Sequence, residues 1–261
     1  MKKLRFVIRY IKYLFESVNE HGVHSPFVYD LLMNVIYVKA DYYSFKNIEK
    51  IREQLLDSNK EILFADLGAG GKKIKSSKKK IKSIAKQSAK SPKYAQLLFR
   101  LVNYFQPSEI LELGTSLGIS TAYLASANKH TKVSTIEGST EAAHIAQENF
   151  EQLQLKNIEQ IVGNFDDVLP KIMHDYQYID FVFFDGNHRK QATINYFNSC
   201  LEKAHSNTVF VFDDINWSDE MIRAWNEIKE NNKVTVTIDL FFMGLVFFKQ
   251  GQAKQHFVIR F

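Results

Sequence analysis

The sequence predicts an α/β fold with a doubly wound, mostly parallel sheet of seven strands, on three observations. Five short apolar runs each stop in polar residues, at 110–113, 132–137, 160–163, 179–184 and 208–212. Helix-like stretches separate these runs, and strands that alternate with helices are typical of a parallel sheet. Two last apolar stretches, 233–240 and 245–248, flank the short Met243–Gly244 region, which predicts an antiparallel C-terminal hairpin.

Length and composition predict one domain with an extension. The 261 residues are long for one domain and short for two, and 45% of them are hydrophobic, which supports a sizeable core. We expect residues 1–90 to form a helical N-terminal extension with a lysine-rich loop, and residues 91–261 to form the main domain.

Targeting signals and cysteine usage predict a cytoplasmic protein. The sequence has no 18-residue apolar run, and no signal-peptide pattern follows Lys2, Lys3 and Arg5. The single cysteine, Cys200, excludes an internal disulfide and suits a reducing compartment. Because Cys200 lies in a predicted helix (190–203) with no activating pattern beside it, we expect it to be buried filler.

The first apolar run leads into a glycine turn of a kind that binds ligands. The run 110–113 contains Glu112 and stops at Gly114, and a helix-like stretch begins near Ile119. Such a turn brings backbone N–H groups close to a ligand. An acid at this point would repel a pyrophosphate but would hold an ammonium group. The Gly-x-x-x-Gly spacing also differs from the Gly-x-Gly-x-x-Gly spacing of dinucleotide-binding folds.

The second apolar run ends in Glu137, 23 residues after Gly114. An acid about 20 residues beyond a glycine turn of this kind accepts hydrogen bonds from ribose hydroxyls. Acids or amides also follow the later runs, among them Asp185, Asp213 and Asp214. Ligands of open parallel sheets bind at the carboxyl ends of the strands, and we expect the site there.

These motifs resemble motif I and the following strands of class I S-adenosylmethionine (SAM)-dependent methyltransferases, which have a Rossmann-like sheet. The resemblance covers about residues 90–250 and is greatest to the catechol and caffeoyl-CoA O-methyltransferase group, through 111–114, 163–170 and Asp185. It implies that SAM is the cofactor. The residues it implies for cofactor binding are Glu112, Gly114, Thr115, Ser116, Gly118, Ser120, Glu137, Gly138, Asn164, Phe165, Asp166 and Asp185.

The same resemblance implies a catalytic centre with two open readings. The matching positions for a divalent cation such as Mg²⁺ are Asp185, Asp213 and Asp214. The catechol enzymes have a lysine base where this chain has His188, so His188 with Asp185 is the alternative catalytic pair. We favour His188 as the base, because a neutral imidazole accepts a proton at cytoplasmic pH. Helix capping by Asp185 or Asp214 is the purely structural alternative.

A second stretch, 62–71, also reads as a strand, an acid (Asp66) and a glycine turn. No second strand ending in an acid follows it at the required distance, so we favour Gly114 as the cofactor turn. Residues 67–108 carry ten lysines and Arg100 with no acid, although the whole chain has a net charge of only +5. We expect residues 72–82 to be a mobile, solvent-exposed segment near the mouth of the site; contact with RNA, an anionic lipid surface or an acidic substrate is the alternative.

The N-terminal region contains an amphipathic helix and a distinctive histidine motif. In the helix 2–18, one face holds Val7, Ile8, Ile11, Leu14, Phe15 and Val18, and we expect this face to pack on the core rather than on a membrane. In the motif 21–30, we expect Ser25 and Pro26 to start a helix that reaches Ile36, and His21 and His24 to be structural.

The leading prediction is therefore O-methyl transfer from SAM to a small or medium-sized acceptor. Methylation of RNA or another polyanion guided by the lysines is a less favoured alternative, and a SAM-binding module without catalysis is another. We expect no transmembrane segment, and a homodimer is left open.

Overall fold

The computed structural model describes residues 2–66 and 75–261, and the chain divides into two compact units. One unit joins residues 1–38 to residues 173–261, and the other contains residues 39–172. Neither unit ends at residue 90. The predicted boundary between an N-terminal extension and a main domain stays a prediction.

The described residues form ten α-helices and ten strands. The helices are α1 (Lys2–Glu16), α2 (Pro26–Leu31), α3 (Tyr43–Asp57), α4 (Ile81–Ser88), α5 (Pro92–Phe105), α6 (Ile119–Ala127), α7 (Thr140–Gln152), α8 (Phe165–Asp175), α9 (Lys190–Leu201) and α10 (Asp219–Glu230). The strands are β1 (Glu61–Asp66), β2 (Lys75–Lys80), β3 (Glu109–Leu113), β4 (Lys132–Glu137), β5 (Ile158–Val162), β6 (Ile179–Phe184), β7 (Ala204–Asp213), β8 (Val236–Asp239), β9 (Met243–Phe247) and β10 (Gln255–Val258).

In the unit of residues 39–172, three parallel strands lie in the order β3-β4-β5. The central residues of β3 and β4 are buried on both faces, which is why the sequence shows continuous apolar runs there instead of an alternating pattern, whereas β5 at the edge is only partly buried. Helices α3, α5 and α6 share an aromatic contact in which the Phe45 ring lies 4.9 Å from Phe99 and 5.3 Å from Tyr123. Because the strands are parallel, the carboxyl ends of β3, β4 and β5 lie at one edge of the sheet.

In the other unit, five strands lie in the order β10-β8-β9-β7-β6. Strands β6 and β7 are parallel, whereas β9 runs antiparallel to both β7 and β8. The predicted α/β class and the antiparallel C-terminal hairpin are therefore confirmed. Met243 and Gly244 belong to β9 and not to the turn, which instead uses Phe241 at a φ of 70°. The tail strand β10 pairs with β8 and is an addition to the seven strands predicted.

The N-terminal helix packs with a different face from the one predicted. The Phe6 and Tyr13 rings of α1 lie 5.3 and 5.2 Å from the Phe241 ring, and the Tyr13 hydroxyl donates to the Ile259 carbonyl at 2.6 Å. The apolar face expected to pack on the core is largely exposed, with Phe15 86% accessible to solvent. That prediction was wrong, because the aromatic side chains on the opposite face of α1 pack on the core instead.

The histidine motif is built largely as the sequence predicts. The Ser25 hydroxyl accepts from the Val28 N–H at 3.5 Å, and Pro26 is the first residue of α2. After Leu31 the helix continues as one π-helical turn (Leu32–Ile36). A side chain at Gly22 would meet Val18 at 2.8 Å, which explains the glycine. His21 and His24 are both exposed, so burial does not explain either ring.

Two smaller expectations concern Cys200 and membrane spans. Cys200 is fully buried in α9, as predicted, and burial raises the pKa of its thiol. Among the helices described, none combines the length and the apolar character needed to cross a bilayer.

Candidate functional site

The glycine turn after β3 has the conformation that the motif predicts. Gly114 and Gly118 have φ values of 113° and 82°, and Ser116 between them has a φ of 48°. The N–H groups of Gly114 and Thr115 both donate to the Ile136 carbonyl of β4, at 3.0 and 3.2 Å. The turn is therefore fixed to the neighbouring strand before α6 begins.

Gly118 is required by space as well as by conformation. A Cβ atom there would lie 2.5 Å from the Phe150 ring of α7. We expect Gly118→Ala to lower the free energy of unfolding by about 2–5 kcal/mol, since a left-handed conformation costs about 1–2 kcal/mol and overpacking about 1–3 kcal/mol. The measurement is chemical denaturation of both proteins.

Gly251 provides the control for that substitution. It has a similar φ of 74°, but a Cβ atom there would meet nothing within 4 Å. Gly251→Ala should therefore show the conformational cost alone, about 1–2 kcal/mol. Equal losses for the two variants would contradict the packing of Phe150 on the turn.

Glu112 lies beneath the turn with no exposed surface. Its Oε2 accepts hydrogen bonds from the hydroxyls of Thr121 and Thr135, which join α6 and β4. Burial raises the pKa of the Glu112 carboxyl above its usual value, and hydrogen bonds from Ser120, Thr121 and Thr135 oppose that shift. In this geometry Glu112 supports the turn from below, and its direct contact with an ammonium group stays a prediction.

The raised pKa of Glu112 has a consequence for stability. A carboxyl whose pKa is higher in the folded state contributes stability that is fully present below its unfolded pKa and is lost as the pH rises through the folded pKa. The stability of Glu112→Gln relative to wild type should therefore increase from about pH 4.5 upward. Denaturant titrations at pH 5 and pH 8 without ligand test this, and a pH-independent difference would contradict it.

Glu137 connects the glycine turn to the start of α7. Its Oε2 accepts from the Ser116 N–H at 2.7 Å, and its Oε1 accepts from the Ser139 N–H at 2.8 Å. Burial raises the pKa of Glu137, and backbone hydrogen bonds from Ser139, Ser116 and Gly138 oppose the shift. The carboxylate thus lies at the carboxyl end of β4, where the sequence predicts ribose recognition.

The turn after β5 reaches the same edge. The Gly163 N–H donates to the Glu137 carbonyl at 2.9 Å, and the Asn164 side chain accepts from the Asp166 N–H at 3.2 Å. Phe165 is half-buried at the start of α8, and Asp166 is exposed. Within this unit the structure therefore brings together the predicted cofactor residues of all three turns.

Thr115 and Ser120, which the sequence also predicts as cofactor residues, are both buried. The Thr115 hydroxyl is 2.6 Å from that of Thr135, which links the glycine turn to β4.

The competing strand at 61–66 does not belong to this parallel arrangement. β1 pairs antiparallel with β2 in a separate two-stranded sheet, and its outer edge lies on α7. There the Leu63 N–H donates to Glu141 Oε2 at 2.7 Å, and the Ala65 N–H donates to the Ser139 hydroxyl at 3.3 Å. The glycines at 68–71 lie outside the described residues. The position of β1 supports Gly114 as the cofactor turn.

The lysine-rich segment has regular secondary structure where a loop was predicted. Residues 75–80 form β2 and residues 81–88 form α4, so a loop is wrong for this part, while residues 72–74 lie outside the described residues. Mobility of the segment stays a prediction. The side chains of residues 76, 77, 78 and 80 are exposed, as expected. At the end of α4, the Ser88 hydroxyl lies 2.7 Å from that of Ser116, which ties this basic hairpin and helix to the glycine turn.

The unit that contains β6 and β7 holds an acidic centre at the carboxyl ends of these two strands. Asp185 follows β6 and Asp213 ends β7, and one ligand atom from each of Asp185, His188 and Asp213 lies within 4.8 Å of the others. His188 Nε2 is 3.8 Å from Asp185 Oδ1 and 3.9 Å from Asp214 Oδ2. The geometry thus groups His188 with Asp185 and Asp213, whereas the predicted ligand set contained Asp214 instead.

The donor atoms of this centre suit a divalent cation. Carboxylate oxygens are ligands for Mg²⁺ and similar hard ions, and imidazole extends the choice to transition metals. Asp213 is only 2% exposed, and closely spaced carboxylates repel each other unless a cation or hydrogen bonds compensate. The capping alternative is weakened for Asp214, because Ser218 caps α10 by accepting from the Met221 N–H at 3.1 Å.

Asn187 is a site residue that sequence reasoning missed. It has a φ of 50°, its side chain donates to the Tyr196 hydroxyl of α9 at 3.1 Å, and its carbonyl accepts from the Arg189 N–H at 2.6 Å. These bonds fix the turn between Asp185 and His188. The signal was the Asp-Gly-Asn-His sequence, since asparagine tolerates left-handed turns.

Comparisons with known proteins agree with this geometry. Residues 111–215 match a family model described as a methyltransferase domain. A catechol O-methyltransferase of Niastella koreensis is 31% identical over 128 residues, which cover 48% of this chain and only 57% of the relative.

Solved structures show the same fold. An O-methyltransferase from Bacillus cereus, solved with SAH, has a TM-score of 0.58 at 21% identity and aligns over 81% of this chain and 93% of its own. The tomaymycin-synthesis O-methyltransferase TomG of Streptomyces achromogenes, solved with SAM, has a TM-score of 0.57 at 22% identity over 84% and 95% of the two chains. Residues 111–215 are therefore similar to a methyltransferase domain, and the chain shares the fold of these O-methyltransferases.

Proposed function

We propose that this protein transfers a methyl group from SAM to a hydroxyl of a small or medium-sized acceptor. The observation that carries the proposal is the left-handed Gly114–Gly118 turn held by Glu137 within a matched methyltransferase domain. The likeness to catechol O-methyltransferase and to O-methyltransferases that bind SAH or SAM supports oxygen as the acceptor atom.

The cofactor residues have separable roles in this proposal. Glu137 accepts from the ribose hydroxyls, the glycine turn lies against the methionine end, and Asn164, Phe165 and Asp166 contact the adenine. Glu112 positions the turn through Thr121 and Thr135. Burial of the cofactor in a rigid turn supplies the orientation that in-line displacement requires.

SAM bound there would supply the methyl group: displacement by the acceptor oxygen would break the carbon–sulfur bond, leave the electron pair on sulfur as SAH, and require a base for the acceptor proton. We propose that His188 takes this proton. Asp185 and Asp214, both within 4 Å of its Nε2, favour the imidazolium that forms.

In the alternative, Asp185, Asp213 and His188 would hold a divalent cation, which would acidify a bound hydroxyl of the acceptor. His188 would then be a metal ligand and not a base.

A transfer assay with methyl-labelled SAM tests the proposal. The full-length protein is incubated with fractions of a cell extract, and labelled product and SAH are measured. We expect label in a low-molecular-weight product that is stable to base, as an ether is. If SAM binds and raises the melting temperature but no fraction is labelled, the protein is a SAM-binding module without catalysis.

Methylation of a nucleic acid is the second candidate, and the tie between Ser88 and Ser116 favours it. This contact joins the basic hairpin and α4 to the glycine turn. The candidate predicts that RNA binding falls steeply with salt and weakens in Lys78→Glu and Lys80→Glu. Binding that is weak at low salt, or unchanged in these variants, would exclude this role for the hairpin.

A further inference from the structure

The N-terminal helix α1 presents an apolar face to solvent. Leu4, Val7, Ile8, Ile11 and Phe15 recur at helical spacing and are 65%, 50%, 57%, 47% and 86% exposed; we call them the outer face of α1. With Tyr10, α1 holds six of the fourteen large hydrophobic side chains that are exposed among the described residues. Apolar side chains concentrated in this way indicate an interaction surface, whereas single exposed ones do not.

Helix α1 cannot rotate about its axis to bury the outer face, because contacts hold the opposite face of the helix in place. The Phe6 and Tyr13 rings pack on Phe241, and the Tyr13 hydroxyl is bonded to the Ile259 carbonyl. The Arg9 guanidinium also pairs with Asp219 at the start of α10. Covering the outer face of α1 therefore requires another molecule.

The charge of α1 distinguishes between partners. The helix contains five basic residues and one acidic residue, Glu16. Arg5 and Lys12 flank the outer face with 67% and 71% of their side chains exposed, and their partners Asp219 and Glu16, at 3.6 and 3.4 Å, are themselves exposed. Exposed pairs of this kind are weak and can exchange partners. A second copy in a two-fold dimer would bring the same net positive helix against this one, which is unfavourable.

We propose that the outer face of α1 docks on an anionic membrane surface. A helix with a narrow apolar face and flanking basic side chains lies in the membrane interface, with its apolar side chains among the acyl chains and its cations at the headgroups. Anionic headgroups add attraction for each nearby arginine or lysine. This inference does not depend on the proposed methyl transfer.

Vesicle flotation of the full-length protein tests the proposal. We expect binding to vesicles of mixed phosphatidylglycerol and phosphatidylcholine, and at least about tenfold weaker binding to phosphatidylcholine alone. Phe15→Ser and Ile8→Glu should each lower binding to the anionic vesicles at least about tenfold, because they remove apolar contact with the acyl chains. Tyr43→Ser is the matched control: Tyr43 on α3 is 89% exposed, and its loss should leave binding unchanged.

The opposite results are equally specific. Equal binding to both vesicle types, or unchanged binding of Ile8→Glu, would overturn the proposal. Absence of vesicle binding together with a dimer in sedimentation velocity that Ile8→Glu dissociates would overturn it in favour of a second copy. Melting temperatures of the variants close to that of wild type would show that the fold is intact, as expected for changes at exposed positions.

Discussion

Replacement of His188 by alanine is expected to lower the rate of methyl transfer by about 10²–10⁴-fold, the usual contribution of a general base. SAM affinity should change little, because His188 has no proposed cofactor contact. The measurement is the single-turnover rate with an acceptor identified in the transfer assay.

His205 supplies a matched control for this experiment. It is another histidine paired with an aspartate in the same unit, at 2.9 Å from Asp180, but it lies at the beginning of β7 and not at its carboxyl end. His205→Ala should therefore keep the wild-type rate. A general effect of histidine loss on folding would lower both rates.

Metal dependence decides between the two readings of the acidic centre. If His188 is the base, a chelator should not change the rate. Complete loss of activity with chelator, restoration by Mg²⁺ and loss of metal binding in Asp213→Ala would show that a bound cation, and not a histidine base, activates the acceptor. Full activity of both the chelated enzyme and His188→Ala would mean that the acceptor arrives deprotonated or carries a free amine.

Replacement of Glu137 by alanine is expected to weaken SAM binding by about 2–4 kcal/mol, or about 30- to 1,000-fold in Kd, through the loss of two charge-assisted hydrogen bonds. Glu137 also holds the Ser116 and Ser139 N–H groups, so the ligand-free protein should lose some stability as well. Calorimetry at a temperature well below the transition separates the two effects.

Glu141→Ala is the control for that change. It removes a carboxylate four residues away, whose contact is with the Leu63 N–H of β1 and not with the glycine turn. We expect SAM affinity close to wild type. Wild-type affinity of Glu137→Ala would contradict the ribose assignment, and damage from Asp66→Ala without damage from Glu112→Ala would identify residues 66–71 as the cofactor turn.

The sequence by itself was sufficient for the order of the strand–turn–helix units. Gly114, Gly118 and Glu137 could be located because the conformation of a tight turn depends on residues that are adjacent in the chain. The helix start at Ser25 was also local, since an N-cap hydroxyl bonds to a backbone N–H three residues later. The parallel arrangement of β3-β4-β5 follows from the long crossover connections between these strands.

Only the tertiary structure decided which surfaces and side chains meet. Periodicity shows that one face of α1 is apolar, but not that the aromatic side chains of its other face would take the place on Phe241. Lysine density predicted a loop, yet residues 75–80 form β2 because they pair with β1, which α7 supports. Likewise, His188 joins Asp185 and Asp213 because the Asn187 turn and the register of β6 with β7 set their separation. Such distances depend on packing between residues far apart in sequence, which no local pattern contains.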